Sequence, residues 1–501
     1  MTTATRKKTE SAKIRAKLKH PVVDADGHLI EITPVILDYI KQEAGAKTAQ
    51  AIEGKMRAAR NSHTHQGYQG HAVSVEANRQ SWRAMAHWWS QPVNADDRAA
   101  VSLPKLLAKR LDDFGVDFTV LYPSHQHVVP GLSAKVGVMG AIDKDIARAA
   151  YRGYNRYVAD ITREYSDRMT PVAKVRMGTP QDAVADLTHA VQELGLKAAA
   201  MYTVNITRPI AKTARENPEA ARYAQRAELF GMDTEYNYDT LWQACMDLKV
   251  AVTFHEGLGI APSSSPSPSN YVFNHVGMLS RTHHALAKAL FLGGATHRFP
   301  ELNFAFLEAG VGWAVSLYAD LHGHWEKRNG KAIRSLNPAR LDVDGLMALV
   351  AQYADPKTKA KMREIRETFE RKPPRPRNLD DFSACGIKTP EDFRARFADN
   401  FYFGCEADDP VTAVAFRSDV NPMGATLKTV LGSDIAHWDV KDMNDVLEES
   451  WEMVEHESIT EAQFKQFVFE NPVRLHGRLN GDFFKGTRVE AEAKRLLAKK
   501  R

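Results

Sequence analysis

The chain has 501 residues, 44% of them hydrophobic, which is enough to bury a large core and excludes disordered or collagen-like chains. No apolar run of 18 or more residues marks a membrane-spanning helix, and the basic N-terminus lacks the apolar stretch of a secretory signal. The formal net charge of +5 invites a nucleic-acid partner, but residues 1–20 carry +6 and residues 481–501 carry +4, which leaves the body between them at −5 and argues against a phosphate-tracking surface.

In chain order, residues 1–20 are expected to form a basic arm, solvated or used in dimer contacts. A single domain over 21–480 follows, built from short apolar and β-branched runs. These are Pro21–Glu31, Asp117–Ser124, Thr170–Met177, Leu196–Asn205, Val250–Gly257, Leu302–Gly310, Asn400–Glu406 and Thr429–Asp434. Amphipathic stretches such as Pro180–Leu194 separate them. Near-continuous apolar strands alternating with helices predict a parallel sheet covered on both faces. Eight such units predict an α/β fold of the (β/α)8-barrel type. An open doubly wound sheet is the alternative, weakened by the lack of a GxGxxG or P-loop turn.

Three connections are longer than a barrel helix requires: about 32–116, 206–249 and 329–399. They carry the polar stretch Asn61–Gly70, the aromatic patch His87–Pro92 and the Pro/Arg-rich KPPRPRNLDD. Each follows a strand's C-terminal end, so they are expected to build up the catalytic face. Residues 481–501 read as a basic tail. Cys245, Cys385 and Cys405 are too far apart for a CxxC site and odd in number, which points to a reducing, cytoplasmic setting.

Chemistry-bearing residues gather at strand ends. Side chains at i and i+2 on a strand share a face, roughly 7 Å apart. Asp26 and His28 can therefore converge on one ion inside a barrel, with Asp24 behind them to orient a neighbour. The fifth strand ends at His255 and the eighth at Asp434. Each has an ordinary reading by itself, as a core histidine and a helix N-cap. Three strand tips that each offer a ligand-type residue point instead to a metal centre.

With these residues located, the chain resembles the amidohydrolase superfamily. The branch is the amidohydrolase-related one that holds the aminocarboxymuconate-semialdehyde and hydroxybenzoate decarboxylases. The landmarks are VVDADGHLIE, LYPS, HRFPELNFAFLEAGVGW, NFYFGCEADDP and VLGSDIAHWD, within about Val22 to Val473. The resemblance implies a metal held by Asp26, His28, His255 and Asp434. Two departures stand out: the first ligand is Asp rather than His, and Glu308 occupies the sixth-strand tip where the decarboxylases have a histidine. Glu308 is open to three readings, as ligand, general base or structural acceptor. The fourth-strand tip (Met201, Tyr202, Thr203) has no lysine, and Lys197 lies near that strand's start, which favours one metal over a lysine-bridged pair.

The implied activity is that of a metal-dependent hydrolase or non-oxidative decarboxylase for a small carboxylated or cyclic, aromatic-type substrate. The expected cofactor is one divalent ion, zinc, with manganese or iron as alternatives. Asp434 is the expected proton shuttle, with Glu308 and His437 as further catalytic residues. Arg176 is expected to grip a substrate carboxylate, and His125, His283, His284 and Trp313 to line the substrate site. Two other readings remain: an iron- and O2-dependent hydroxylase on the same barrel, and a non-catalytic partner subunit. A homodimer or higher homo-oligomer is expected, with a small-molecule substrate and no nucleic-acid or membrane partner.

Overall fold

The computed structural model describes residues 8–61, 75–81, 85, 92–124, 144–202, 206–221, 224–255, 266–370 and 379–499. Among these, eight parallel strands follow one another around a single sheet: β1 (Val23–Leu29), β2 (Phe118–Pro123), β3 (Met169–Arg176), β4 (Ala198–Tyr202), β5 (Val252–Phe254), β6 (Phe304–Phe306), β7 (Phe401–Glu406) and β8 (Lys428–Gly432). Spatial order equals chain order, and past the strand ends the Asp434 N–H donates to the Asp26 carbonyl at 3.0 Å, bringing the last strand back to the first. This is the expected (β/α)8 barrel. Each of the eight expected apolar runs holds a strand among the described residues. Both faces of β1 and β2 are buried, as strands lined by a barrel core and covered by helices must be.

Helices on the outside include Lys144–Thr162 after β2, Pro180–Thr188 after β3, Asp239–Asp247 after β4, Met278–Leu292 after β5 and Gly312–Arg328 after β6. The Pro180 helix starts where its sequence says it should. The Thr179 side chain accepts from the Asp182 N–H, and proline fills the first turn, where a missing N–H costs nothing. Between β7 and β8 the connection is made by 3-10 turns, Pro410–Phe416 and Pro422–Gly424.

The long connections carry structure of their own. The first holds Thr33–Asn61, a helix interrupted at Gly45, which takes a left-handed φ of 81°. The second holds a two-stranded antiparallel ribbon, Thr207–Pro209 with Gln225–Ala227, which alternation had not marked. The third holds helices Val343–Tyr353, Met362–Glu370 and Pro390–Ala398. Most of Asn61–Gly70, of His87–Pro92 and of KPPRPRNLDD lies outside the described residues.

The two basic ends, expected as solvated or dimer-contact segments, each carry buried apolar side chains. Helix Glu10–Lys17 buries Ser11 and Ile14, and Arg15 pairs with Asp117 through Nε at 2.5 Å and Nη2 at 3.1 Å. At the other end Phe483, Phe484, Val489 and Ala493 are buried, and helix Glu490–Leu497 buries Leu496. The physical reason is that a few apolar side chains outweigh the charges around them, because Lys and Arg can keep their heads in water while their stems pack. No helix among the described residues is long and apolar enough to cross a membrane.

Candidate metal centre

Strand β1 is irregular where its chemistry lies. Its pairing with β2 shifts register between Asp24 and Gly27, so strict alternation does not hold there. Gly27 is required: a Cβ would lie 2.4 Å from Thr119 Oγ1 and 2.5 Å from Asp24 Oδ2. The Thr119 hydroxyl uses that space to donate to Asp24 Oδ2 at 2.6 Å. Asp24 is wholly buried and also accepts from the Asp26 N–H at 3.1 Å, the Ser433 N–H at 2.9 Å and the Ser433 hydroxyl at 2.7 Å. It orients the two strand ends that carry Asp26 and Asp434. Burial pushes its carboxyl up to about 6 against the pull of these donors.

Six side chains then meet at the strands' C-terminal ends. His28 Nε2 lies 3.6 Å from Asp26 Oδ1 and 3.0 Å from Asp434 Oδ1. His255 Nε2 lies 3.0 Å from Asp26 Oδ1 and 3.3 Å from Glu308 Oε2. His437 Nδ1 lies 2.6 Å from Asp434 Oδ1 and 3.9 Å from Glu308 Oε1, and its ring stacks on His28 at 3.8 Å. Glu308 and Asp434 both take left-handed backbone, φ 53° and 46°, a strain of about 1–2 kcal/mol each for residues with a Cβ. Gly404 of β7 lets Glu308 sit there, since a Cβ would lie 2.8 Å from Leu307 Cα and 3.1 Å from the Glu308 nitrogen.

These donors fit a divalent ion. Metal–ligand bonds of about 2.0–2.2 Å place neighbouring donors roughly 3–4 Å apart, as found here. His28 Nε2 and both Asp434 oxygens are buried and make no aligned hydrogen bond, although they approach to 3.0 Å. Groups held this close, yet not aimed at one another, form a candidate ligand set for one ion. The electrostatics agree. Burial, then Glu308, Asp439 and Glu406, pushes Asp434 well above the usual carboxylate range. Glu308 is raised likewise by burial and by Asp26, with His255 opposing. Burial, then His437 and His255, holds His28 well below the usual imidazole range, in the neutral form that ligates. Carboxylates so crowded and dry need a proton or a cation between them.

The remaining expected site residues are distributed as follows. Arg176 is committed elsewhere: its fork grips Asp186 with Nε at 2.6 Å and Nη2 at 2.8 Å, on the helix after β3, and it does not join the ligand set. His283 is wholly buried, and its ring lies 5.7 Å from Phe306 and 6.4 Å from Trp313. His284 is half-buried, 6.3 Å from Trp313. The Trp313 Nε1 donates to the Gly310 carbonyl at 2.9 Å, and its ring packs on Phe306 and Phe403. His125 lies outside the described residues. Lys197 sits at the other end of β4 and donates to the Phe483 carbonyl at 2.5 Å.

Three residues were assigned no role from sequence. Tyr122 stacks on His255 at 4.9 Å and donates to Thr253 Oγ1 at 2.9 Å. Glu406 and Asp439 group with Asp434. Burial and then Asp439, Asp408 and Asp409 raise Glu406 to about 8. Glu406 ends β7, so the strand-tip rule that singled out His255 would have found it.

A barrel with ligand-type residues at its strand tips defines a class, and the comparisons name it. The family model for amidohydrolases matches residues 23–478. The chain belongs to the amidohydrolase family and is an enzyme of that kind. A comparison with curated proteins finds no match. Among solved structures, an amidohydrolase from Mycobacterium avium subsp. paratuberculosis K-10 is 14% identical, with 92% of this chain and 100% of that one covered and a TM-score of 0.50. A 2,6-dihydroxybenzoate decarboxylase from Rhizobium is 13% identical, covering 91% and 98%, with a TM-score of 0.47. A dihydroxybenzoic acid decarboxylase from Polaromonas sp. JS666, with bound manganese and the inhibitor 2-nitroresorcinol, is 13% identical, covering 93% and 99%, with a TM-score of 0.48. At these identities the likeness concerns the fold alone.

Proposed function

We propose that this chain is a metal-dependent carboxy-lyase or hydrolase of a small carboxylated or cyclic, aromatic-type substrate. The observation that carries this is Glu308: an acid at the tip of β6, its side chain 11% exposed, 3.3 Å from His255 and facing the ligand set.

Asp26, His28, His255 and Asp434 would hold the ion. When bound, a divalent ion supplies Lewis acidity, polarising a carboxylate or carbonyl and lowering the pKa of water. In decarboxylation the C–CO2 bond breaks and its electron pair stays on carbon. Glu308 delivers the proton that carbon needs, and His437, 3.9 Å away, returns one to Glu308. Tyr122, stacked on His255, walls one side of the site. In hydrolysis the same Glu308 takes a proton from water instead. Incubation with a panel of hydroxylated aromatic acids in D2O and 18O-labelled water tests this. CO2 release with one deuterium on the product carbon supports decarboxylation. Solvent 18O in the product without CO2 supports hydrolysis.

Two imidazoles favour zinc and two carboxylates favour manganese. Elemental analysis of protein purified without added metal decides between them. Metal-free protein would overturn the class, and iron with O2 consumption would replace it with the hydroxylase reading. A cytoplasmic setting is supported by Cys245, Cys385 and Cys405, all free and buried. A homo-oligomer is supported by apolar side chains left in water, including Phe273 at 66% and Tyr353 at 75% exposure. Light scattering at low concentration checks the second point.

A further inference from the structure

We infer that Tyr122 is a positioning residue for the metal centre: its ring is the flat support that holds the His255 imidazole with Nε2 toward the other ligands. Tyr122 is wholly buried on β2 and stands in strand register with His28 of β1. Its ring stacks on His255, with centroids 4.9 Å apart and planes 20° apart. The His28 ring meets the same imidazole edge-on, at 4.7 Å and 68°. His255 is thus bounded by a face and an edge. In that orientation its Nε2 lies 3.0 Å from Asp26 Oδ1 and 3.3 Å from Glu308 Oε2.

The support is itself anchored. The Tyr122 hydroxyl donates to Thr253 Oγ1 at 2.9 Å, and the Thr253 hydroxyl spends its own proton on the Ala199 carbonyl at 2.8 Å. Thr253 can therefore only accept from Tyr122, which fixes the direction of the bond. Burial, then the Asp26 charge, holds the phenol well above its ordinary range, so it remains a donor. One side chain of β2 is thereby tied to β5 directly and to β4 through Thr253. Residues two apart on extended backbone share a face, so the anchor at Thr253 lies on the same wall as His255 and one step beneath it. This bears on ligation because an imidazole at a strand tip turns about two bonds, and a site works only when its groups are held within about 0.5 Å of the productive geometry. An aliphatic side chain fills the space of the ring but offers no flat face. Its loss is therefore felt in the orientation of His255 more than in the fold.

This role rests on the reading that the site holds an ion, and the test separates the two. Full-length protein is stripped with chelator and titrated with Mn2+ by calorimetry, and the Tm of each metal-free variant is taken alongside. Tyr122→Leu is expected to bind Mn2+ roughly 10–100-fold more weakly, the usual cost of losing a residue that orients a ligand. Tyr122→Phe keeps the ring and is expected to bind with close to wild-type affinity. Wild-type affinity in Tyr122→Leu, even with a lowered metal-free Tm, makes the residue merely structural and overturns the role. An equal loss in Tyr122→Phe moves the effect from the ring to the hydroxyl and also overturns it. No Mn2+ binding by the wild type overturns the metal centre and this role with it. If Tyr122→Leu does not fold, as read by circular dichroism, Tyr122→Met carries the same expectation. A measurement on the wild type keeps the role falsifiable without either variant. In protein with 13C-labelled histidine, the imidazole signal that disappears in His255→Ala is expected to be displaced upfield by the Tyr122 ring, and an undisplaced signal overturns the stack.

Discussion

Asp24 and Ser433 stand 409 residues apart and are joined by two hydrogen bonds, one from the Ser433 N–H to Oδ1 and one from its hydroxyl to Oδ2. Through them the end of β8 is fixed against β1, and Asp434 is set beside Asp26 and His28. Removing the carboxylate orphans buried donors on Thr119, Ser433 and Asp26. Asp24→Ala is expected to cost about 2 kcal/mol in denaturant unfolding. It is also expected to weaken metal binding by roughly 10–100-fold, as loss of an outer-sphere partner does. Unchanged metal affinity would remove Asp24 from that role.

His255 lies within 3.3 Å of both Asp26 and Glu308. His255→Ala is expected to lose bound metal and activity while keeping its circular dichroism spectrum. Wild-type metal content in the folded variant refutes His255 as a ligand.

Glu308 combines a left-handed φ with an acid the reaction needs. Glycine adopts that backbone freely and alanine does not. Glu308→Gly is therefore expected to be about 1 kcal/mol more stable than Glu308→Ala, both having lost the same charge. Both should lower kcat by roughly 10²–10⁴-fold, the usual worth of a positioned acid or base. Equal stabilities would show that the strained backbone relaxes.

Arg176 and Asp186 form a bidentate pair. Arg176→Ala leaves a buried aspartate without its cation and is expected to lower Tm, with KM unchanged. A raised KM at unchanged Tm would return Arg176 to the substrate.

His476, far from the site, is buried against Phe483 with ring centroids 4.4 Å apart, and burial lowers its pKa to about 3. In the unfolded chain it titrates at its ordinary 6.5. Between pH 6.5 and 3 the unfolded state therefore binds the extra proton, so stability falls as pH falls through this window. His476→Phe is expected to flatten that slope by up to one proton, measured by denaturant midpoints at stepped pH. An unaltered slope would show that the ring is already protonated in the fold.

Much of the fold was legible because parallel strands buried on both faces leave unbroken apolar runs such as FTVLYP. The antiparallel ribbon at Thr207–Pro209 was not, since three residues are too few to show a period. At the ends charge dominates the composition, so the buried Ile14 and Phe483 did not stand out in the sequence. Arg176 looked like an anion grip because its position at a strand tip says nothing of Asp186 behind it.

By itself the sequence determined the barrel, its family and the four strand-tip residues, since each depends on local pattern: apolar runs, a charged or imidazole tip, and motif order. Only the tertiary structure decided what those tips share. Asp24 reaching Ser433, Glu308 facing His255, His437 stacked on His28, and Glu406 and Asp439 meeting Asp434 all join separate elements. Distances between side chains on different strands are set by barrel closure and by the bulge in β1, which no window of neighbouring residues contains.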